Sequence, residues 1–597
     1  MKTPRLRLDS SRLLAYAGND EGMLVGLALA AGVGAGLGAI LFRYLILGFT
    51  LLFSGHEDPS SIGHFSNPHL PLLGPWVVVA IPVLGGLLYG PLVYLFAPEA
   101  RGHGVPEVML AVHSEEGRIR SRVPVVKSLA SALCIGAGGS VGREGPIVQI
   151  GSAIGSALGQ LTRLAGQEMR LLVACGAAGG IAATFNAPIA GVFFALELIL
   201  RDFQTRSFGV VVLSSVVATA VGRIAFGGAA FLALPGFHVR SIVEYPIYAA
   251  LGVLAALVGL LFIRVLYGSE DAVDRLWRGP SWLRPAAGGL LLGCLLLALP
   301  EMYGVGYPVL EGAIAGRYAL AMLLALLAGK ILATSLTISI GGSGGVFAPS
   351  LFMGAMLGSA FGLAVHSLLP GATASAGAYG LVGMAAVFAA AGRAPITAVI
   401  IVFELTGDYS IILPLMLAVV VATGISRRLS RDSIYTLKLR RRGIDIERPP
   451  RSPAFSGMTV ADAMGPPPAA LPASATRAEA AAIFLREGRS ALPVASGGRL
   501  SGVLSMRALE RDPGEGEEEA GALTEAAPRL FADEPLAVAI DWLTAGDREG
   551  LPVLSRDDEQ IVGWIDHRDV LRAFSGSGSS TAGSLPRPAT SHLMAGG

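Results

Sequence analysis

Three short stretches of this chain combine glycine and proline in a pattern that could handle an anion: Gly102-His-Gly-Val-Pro106, Gly142-Arg-Glu-Gly-Pro146 and Gly345-Val-Phe-Ala-Pro349. Each ends in proline and leads into an apolar run. Glycine frees the backbone to turn, and proline suits the first turn of the helix that follows. A helix start presents N–H groups without intrahelical partners and a partial positive charge. Several such starts brought together would hold an anion without a full positive charge, loosely enough to let it leave. The plain alternative is three loop-to-helix turns with no ligand.

Glu144 favours the anion site. It sits between glycines in apolar surroundings, where an ionised carboxylate is costly unless paired or near water. At a cluster of helix starts its carboxylate would compete with a mobile anion for the same place, and protonation would open the path. A local ion pair with Arg143 is the competing explanation, made awkward because adjacent side chains point in different directions.

The elements that must position these segments are membrane helices. The chain has 597 residues, of which 52% are hydrophobic and only 15% charged. Soluble domains average roughly a quarter charged residues, so most of this chain belongs in lipid. Apolar stretches run over about 23–53, 70–96, 125–135 and 147–161, with others, including 249–266, 287–299 and 319–336, to about 425. Several fall short of the roughly twenty residues that span a bilayer, as expected of helices that stop part-way around a midplane site. Lys2, Arg5, Arg7 and Arg12 precede the first span, and Arg427, Arg428, Arg431, Lys438 and Arg440–Arg442 follow the last. By the positive-inside rule both ends face the cytoplasm, and the number of crossings is even. The net charge of +1 points to no nucleic acid or acidic partner. Cys134, Cys175 and Cys294 stand singly in apolar sequence without metal-ligand spacing, as small buried hydrophobes.

The apolar region is duplicated. Asn186-Ala-Pro-Ile-Ala-Gly-Val-Phe-Phe-Ala-Leu-Glu197-Leu198 reads onto Arg393-Ala-Pro-Ile-Thr-Ala-Val-Ile-Ile-Val-Phe-Glu404-Leu405, and both the prolines and the glutamates are separated by 207 positions. A glycine-and-proline element precedes each copy, at 138–146 and 341–349. Past Gly443 the character changes. Pro449, Pro450 and Pro453 mark a stiff linker, and a soluble α/β pair follows in which Leu492-Pro-Val and Ser501-Gly-Val-Leu-Ser repeat as Leu551-Pro-Val and Val562-Gly-Trp-Ile-Asp. The predicted organisation is an N-terminal segment 1–20, a membrane domain 21–442, a linker 443–457, repeats at 458–512 and 523–574 around an acidic loop 513–522, and a disordered tail 575–597.

The three segments resemble the anion-pathway motifs of the CLC chloride channel and transporter family, usually written GSGIP, GREGP and GxFxP, in the family's order and with Lys127 upstream of the second. Tyr435, in Arg431-Asp-Ser-Ile-Tyr-Thr-Leu-Lys-Leu-Arg440, is similar to the tyrosine of that family's last membrane helix. The likeness covers about residues 20–440. It implies an all-α polytopic fold of two inverted repeats of broken, tilted helices, in a homodimer with one pore per subunit. It implies that Glu144 is the gating glutamate, that backbone N–H groups of Arg143, Glu144, Gly145, Val346 and Phe347 line anion sites with His103 and Gly104, and that the Tyr435 hydroxyl donates to the innermost anion. Without the family, Tyr435 reads as an interfacial tyrosine.

Two positions depart from the family. His103 stands where serine is usual; its N–H can still donate, and it adds a titratable group near pH 7, unless the ring turns away into a polar contact. Leu198 stands where many proton-coupled members hold a proton-transfer glutamate, next to Glu197. The C-terminal pair resembles tandem CBS domains. Their nucleotide motif, Gly-x-x-(Ser/Thr)-x-x-Asp, is incomplete in both copies: Ser505 is paired with Ala508, and Asp569 with Asp566. Ser505 and Asp569 are the residues an adenosine-nucleotide site would use, but a structural or gating module fits equally, and no resident cofactor or metal is expected. The uncharged Leu198 makes a gated chloride channel the leading expectation. The alternatives are a chloride/proton antiporter and a fluoride- or nitrate-selective member. An intramembrane enzyme using Glu144 and His103 as acid and base lacks any nucleophile or metal constellation.

Overall fold

The computed structural model describes residues 20–63, 67–68, 71–229, 231–232, 236–237, 239–407, 409–446, 458–496, 499–511, 519–545, 548–556 and 560–577. The N-terminal basic cluster, the linker prolines, positions 513–518 of the acidic loop and the tail beyond 577 lie outside the described residues. The chain divides into two units, Met1–Arg448 and Pro449–Gly597. The first runs a few residues past the expected boundary because the Arg201 side chain donates to the Ile446 carbonyl and Ile446 is buried.

The first unit is helical throughout. In chain order its main elements are α1 (Asp20–Ser54), α2 (Val77–Phe96), α3 (Val105–Ser114), α4 (Val123–Gly136), α5 (Glu144–Leu161), α6 (Gly166–Phe185), α7 (Pro188–Phe194) and α8 (Thr205–Phe226). The second half follows with α9 (Glu244–Leu276), α10 (Arg284–Ala298), α11 (Tyr307–Ile314), α12 (Leu320–Ser339), α13 (Phe347–Leu368), α14 (Ala376–Gly392), α15 (Pro395–Thr406), α16 (Ile412–Leu429) and α17 (Thr436–Arg440). Among the described residues eight helices are long and apolar enough to cross a membrane. Others, such as α4 and α15, stop short, and non-spanning helices are tolerated where protein rather than lipid surrounds their ends.

Local signals explain the breaks. Proline stands in the first turn of α3, α4, α7, α11 and α15. α6 and α14 end on left-handed residues at matching places in the two copies, Asn186 (φ 56°) and Arg393 (φ 59°), and an Ala-Pro pair then starts the next helix. Each left-handed residue ties its own break: the Asn186 amide donates to the Gly228 and Ala229 carbonyls, and the Arg393 guanidinium to Ser430 and Arg431. In lipid, helix association rests on close packing. α5 and α6 cross at Gly151 and Gly176, where a Cβ on either would overlap the other's backbone.

The duplicated glutamates hold the halves together reciprocally. Glu197 accepts from the N–H groups of Ile396 (3.1 Å) and Thr397 (2.8 Å), which head α15. Glu404 accepts from those of Ile189 (3.0 Å) and Ala190 (2.6 Å), which head α7. Each carboxylate satisfies orphan donors at the start of the other copy's helix. Cys134 and Cys175 are buried, but Cys294 is exposed, on the face of α10 that also presents Leu290 and Leu291. An apolar membrane helix has a lipid-facing side, so apolar sequence there does not imply burial in protein.

The second unit holds two three-stranded sheets. β1 (Leu471–Pro472) pairs parallel with β2 (Ala491–Ser496), which pairs antiparallel with β3 (Arg499–Ser505). β4 (Leu530–Phe531), β5 (Leu551–Leu554) and β6 (Ile561–Ile565) repeat that order. The leading segment crosses over: Val460, in the short helix α18 (Val460–Ala463), packs in the core of the second repeat with Leu536, Leu551 and Ile565. Ala520 packs in the core of the first.

Candidate functional site

Backbone pairing gathers the three glycine-rich segments. Gly142 and Gly345 exchange N–H to carbonyl bonds of 2.7 and 2.6 Å, and the Gly102 N–H donates to the Gly342 carbonyl at 3.0 Å. These bonds bring the first residues of α3, α5 and α13 to one place. The approach tolerates no side chain at Gly145, where a Cβ would overlap the His103 carbonyl. Two buried lysines secure the loops. Lys127 on α4 donates to the Ala100 and Gly102 carbonyls at 2.8 and 2.9 Å. Lys330 on α12 donates to the Ser140 hydroxyl and to the Gly304 and Val305 carbonyls.

Glu144 heads α5 and is 1% exposed, so any charge it carries must be met inside the protein. One carboxylate oxygen accepts from the Tyr307 hydroxyl at 2.6 Å, and the other from the Ala348 N–H at 3.2 Å, in the first turn of α13. Among the described residues Arg143 makes no ion pair of hydrogen-bond length with it. Its guanidinium lies 5.2 Å from the Tyr307 ring centroid and 5.1 Å from that of Phe231. The carboxylate therefore takes the donor positions that the helix starts offer.

The other residues predicted for the anion path gather on the same junction. Val346 and Phe347 open α13, with the Phe347 ring packed 4.3 Å from that of Phe388. His103 and Gly104 precede α3, Gly104 in a conformation (φ 77°) suited to glycine. The His103 ring is fully buried, 6.2 Å from the Tyr435 ring, and among the described residues neither nitrogen has a hydrogen-bond partner. Lys438, Lys127 and Arg442 bring positive charge to its surroundings. Tyr435 is buried at the head of α17.

Leu198 and Glu197 lie apart from this junction, in a π-helical turn (Ala195–Leu200) that continues α7. Leu198 is buried, and Glu197 spends both carboxylate oxygens on Ile396 and Thr397. In the second unit, Ser505 accepts from the Ala508 N–H at 3.2 Å, capping the helix Met506–Arg511. Asp569 accepts from the Asp566 N–H at 3.1 Å at the start of the last helix (His567–Ser577). Burial pushes the Asp569 carboxyl above its ordinary value, and the neighbouring Asp566 adds to the push. Both residues named for a nucleotide are thus engaged in helix capping. Tyr307 is the site residue that the motifs did not name. Its signal was present in Gly304-Val-Gly-Tyr-Pro308, which has the glycine and proline spacing of Gly102-His-Gly-Val-Pro106.

Broken helices whose starts converge on a buried carboxylate, inside a duplicated membrane domain, define an anion transport protein. Residues 85–427 match the voltage gated chloride channel family, and residues 460–511 the CBS domain. The chain belongs to the CLC family. It is 34% identical over 424 residues to the H(+)/Cl(-) exchange transporter ClcA of Vibrio cholerae, covering 70% of this chain and 88% of that one. It is 32% identical over 415 residues to the voltage-gated ClC-type chloride channel ClcB of Citrobacter koseri, covering 68% and 97%. The solved structure of a slow cyanobacterial Cl-/H+ antiporter superposes with a TM-score of 0.64 at 28% identity, over 72% of this chain and 99% of that one.

Proposed function

We propose that this chain exchanges chloride for protons across a cell membrane, with Glu144 both blocking the anion path and carrying the proton. The observation that carries this reading is the seating of the Glu144 carboxylate on donors at a helix start, where an anion would bind. A charged carboxylate excludes chloride from that place. Once protonated it is a weaker acceptor, leaves, and takes its proton with it. The N–H groups of Arg143, Gly145, Val346 and Phe347, the Tyr435 hydroxyl and the His103 ring then supply donors to the moving anion. The exchanger names of the Vibrio cholerae relative and the cyanobacterial structure support coupling to protons. The protein works as a homodimer with one pathway per subunit and both ends in the cytoplasm, and the CBS pair regulates it.

A second reading, passive gated conduction, is favoured by Leu198, which offers protons nothing at the position where a relay is expected. Under the exchange reading, water carries protons past this residue. Liposomes loaded with chloride and a pH dye separate the two. Sustained proton uptake driven by the chloride gradient supports exchange, and a reversal potential fixed at the chloride Nernst value across a pH gradient refutes it.

A further inference from the structure

The segment Gly304-Val-Gly-Tyr-Pro308 forms a fourth helix start at the junction. Gly306 caps α11 with φ 85°, Pro308 sits in its first turn, and Lys330 holds the Gly304 and Val305 carbonyls as Lys127 holds those of Ala100 and Gly102. Tyr307 occupies the place that Val105 has in the other copy. Where Val105 offers only a hydrocarbon, Tyr307 brings a hydroxyl to within 2.6 Å of Glu144.

We propose that Tyr307 is the latch of the gate, a positioning residue that holds Glu144 shut while it is charged and releases it on protonation. The phenol ring cannot drift. Arg143 lies over its face, and the Phe231 ring meets it at 4.9 Å and 77°, edge to face. A phenol is a proton donor at ordinary pH. Its bond to a carboxylate is charge-assisted and roughly twice as strong as one to a neutral acceptor. The latch thus grips the ionised form and loosens on the acid. The other groups facing Glu144 do not duplicate it. Arg143 and Lys330 act on it as charges without a hydrogen bond, Lys330 being committed to Ser140 and two carbonyls and Arg143 lying over the Tyr307 and Phe231 rings. Among the described residues Tyr435 makes no hydrogen bond to it, and from α13 the Ala348 backbone N–H makes the second contact. Among the described residues, Tyr307 is the one side chain that donates a hydrogen bond to this carboxylate.

The latch rests on Glu144 being the gate, but not on the coupling of chloride to protons. The test uses the full-length protein in liposomes, with chloride efflux and proton uptake measured between pH 4.5 and 8.5. Tyr307→Phe keeps the ring and its packing and removes only the hydroxyl. Losing a hydrogen bond that favours the charged gate by roughly tenfold moves the pH of half-maximal chloride flux up by about one unit. In a Glu144→Gln background the same substitution has no further effect on the pH profile. An unchanged midpoint in Tyr307→Phe, or an equal shift in the Glu144→Gln background, overturns the latch. Absence of proton uptake by the parent protein would instead overturn exchange, and the chloride midpoint still judges the latch.

Discussion

Replacing Glu144 with glutamine tests the gate most directly. Glutamine keeps one carbonyl acceptor but puts an NH2 donor where the second carboxylate oxygen was. Whichever way the amide turns, that donor faces either the Tyr307 hydroxyl or the Ala348 N–H. The amide therefore turns its oxygen to the Ala348 N–H and its NH2 to the Tyr307 oxygen, which can also accept, and both charge-assisted bonds become neutral ones about half as strong. A hydrogen bond to a charged group is worth about 1.5–3 kcal/mol. Halving two such bonds costs about the worth of one and lowers occupancy of the blocking position by about 10- to 150-fold. Chloride efflux from liposomes should then be as fast at pH 7.5 as the parent protein's becomes in acid, with a nearly flat pH profile. Proton uptake coupled to chloride should disappear, because the amide does not titrate. A folded variant that keeps the parent's pH dependence would refute the assignment of Glu144 as gate.

Three further outcomes are expected. Tyr435→Phe leaves folding intact and weakens the preference for chloride over nitrate by the worth of at most one hydrogen bond, and identical permeability ratios would remove the hydroxyl from the pathway. Leu198→Glu supplies a titratable group where the parent has none and raises the number of protons moved per chloride, so an unchanged ratio would mean that water already serves that position fully. Asp462 in the CBS unit accepts from the Thr459 N–H and hydroxyl, which holds its carboxyl below the ordinary 3.8. Its stabilising effect is present at neutral pH and is lost as pH falls through that lowered value. Asp462→Ala should therefore speed hydrogen exchange at residues 459–463 at pH 7, with the difference fading in strong acid; equal exchange at pH 7 would deny the cap any role.

Much of this site is legible in the sequence because backbone chemistry writes itself into glycine and proline. The three motifs mark helix starts, and the 207-residue offset between Glu197 and Glu404 marks the duplication. What stays hidden depends on who meets whom in space. The contact between Tyr307 and Glu144 joins residues 163 positions apart, and nothing near Tyr307 in the chain announces an acid. Glu197 reads as structural beside the relay position, like its repeat mate Glu404, but the helix it holds is seen only when the α15 N–H groups appear on its oxygens. Apolar sequence around Cys294 cannot distinguish protein from lipid as the neighbour. Leu198 invited a channel, yet one missing side chain constrains a proton path weakly when water can fill in. In the CBS pair the repeats are plain, while the crossing of Val460 into the second core is not, since a four-residue helix carries too little pattern to choose its partner.

The reciprocal glutamates also bear on how such a protein could have begun. Each half supplies the carboxylate that seals the first turn of the other half's helix, and neither seals its own. A half-length chain would therefore leave the α7 or α15 N–H groups unpaired unless a second copy delivered its glutamate. In a two-fold dimer of such halves, one carboxylate-to-helix contact made twice would close both ends at once, which is the geometry of an isologous interface. Joining two copies in one polypeptide keeps that contact and frees the halves to diverge, with Val105 in one and Tyr307 in the other. The asymmetry needed for a gate is available only after that fusion.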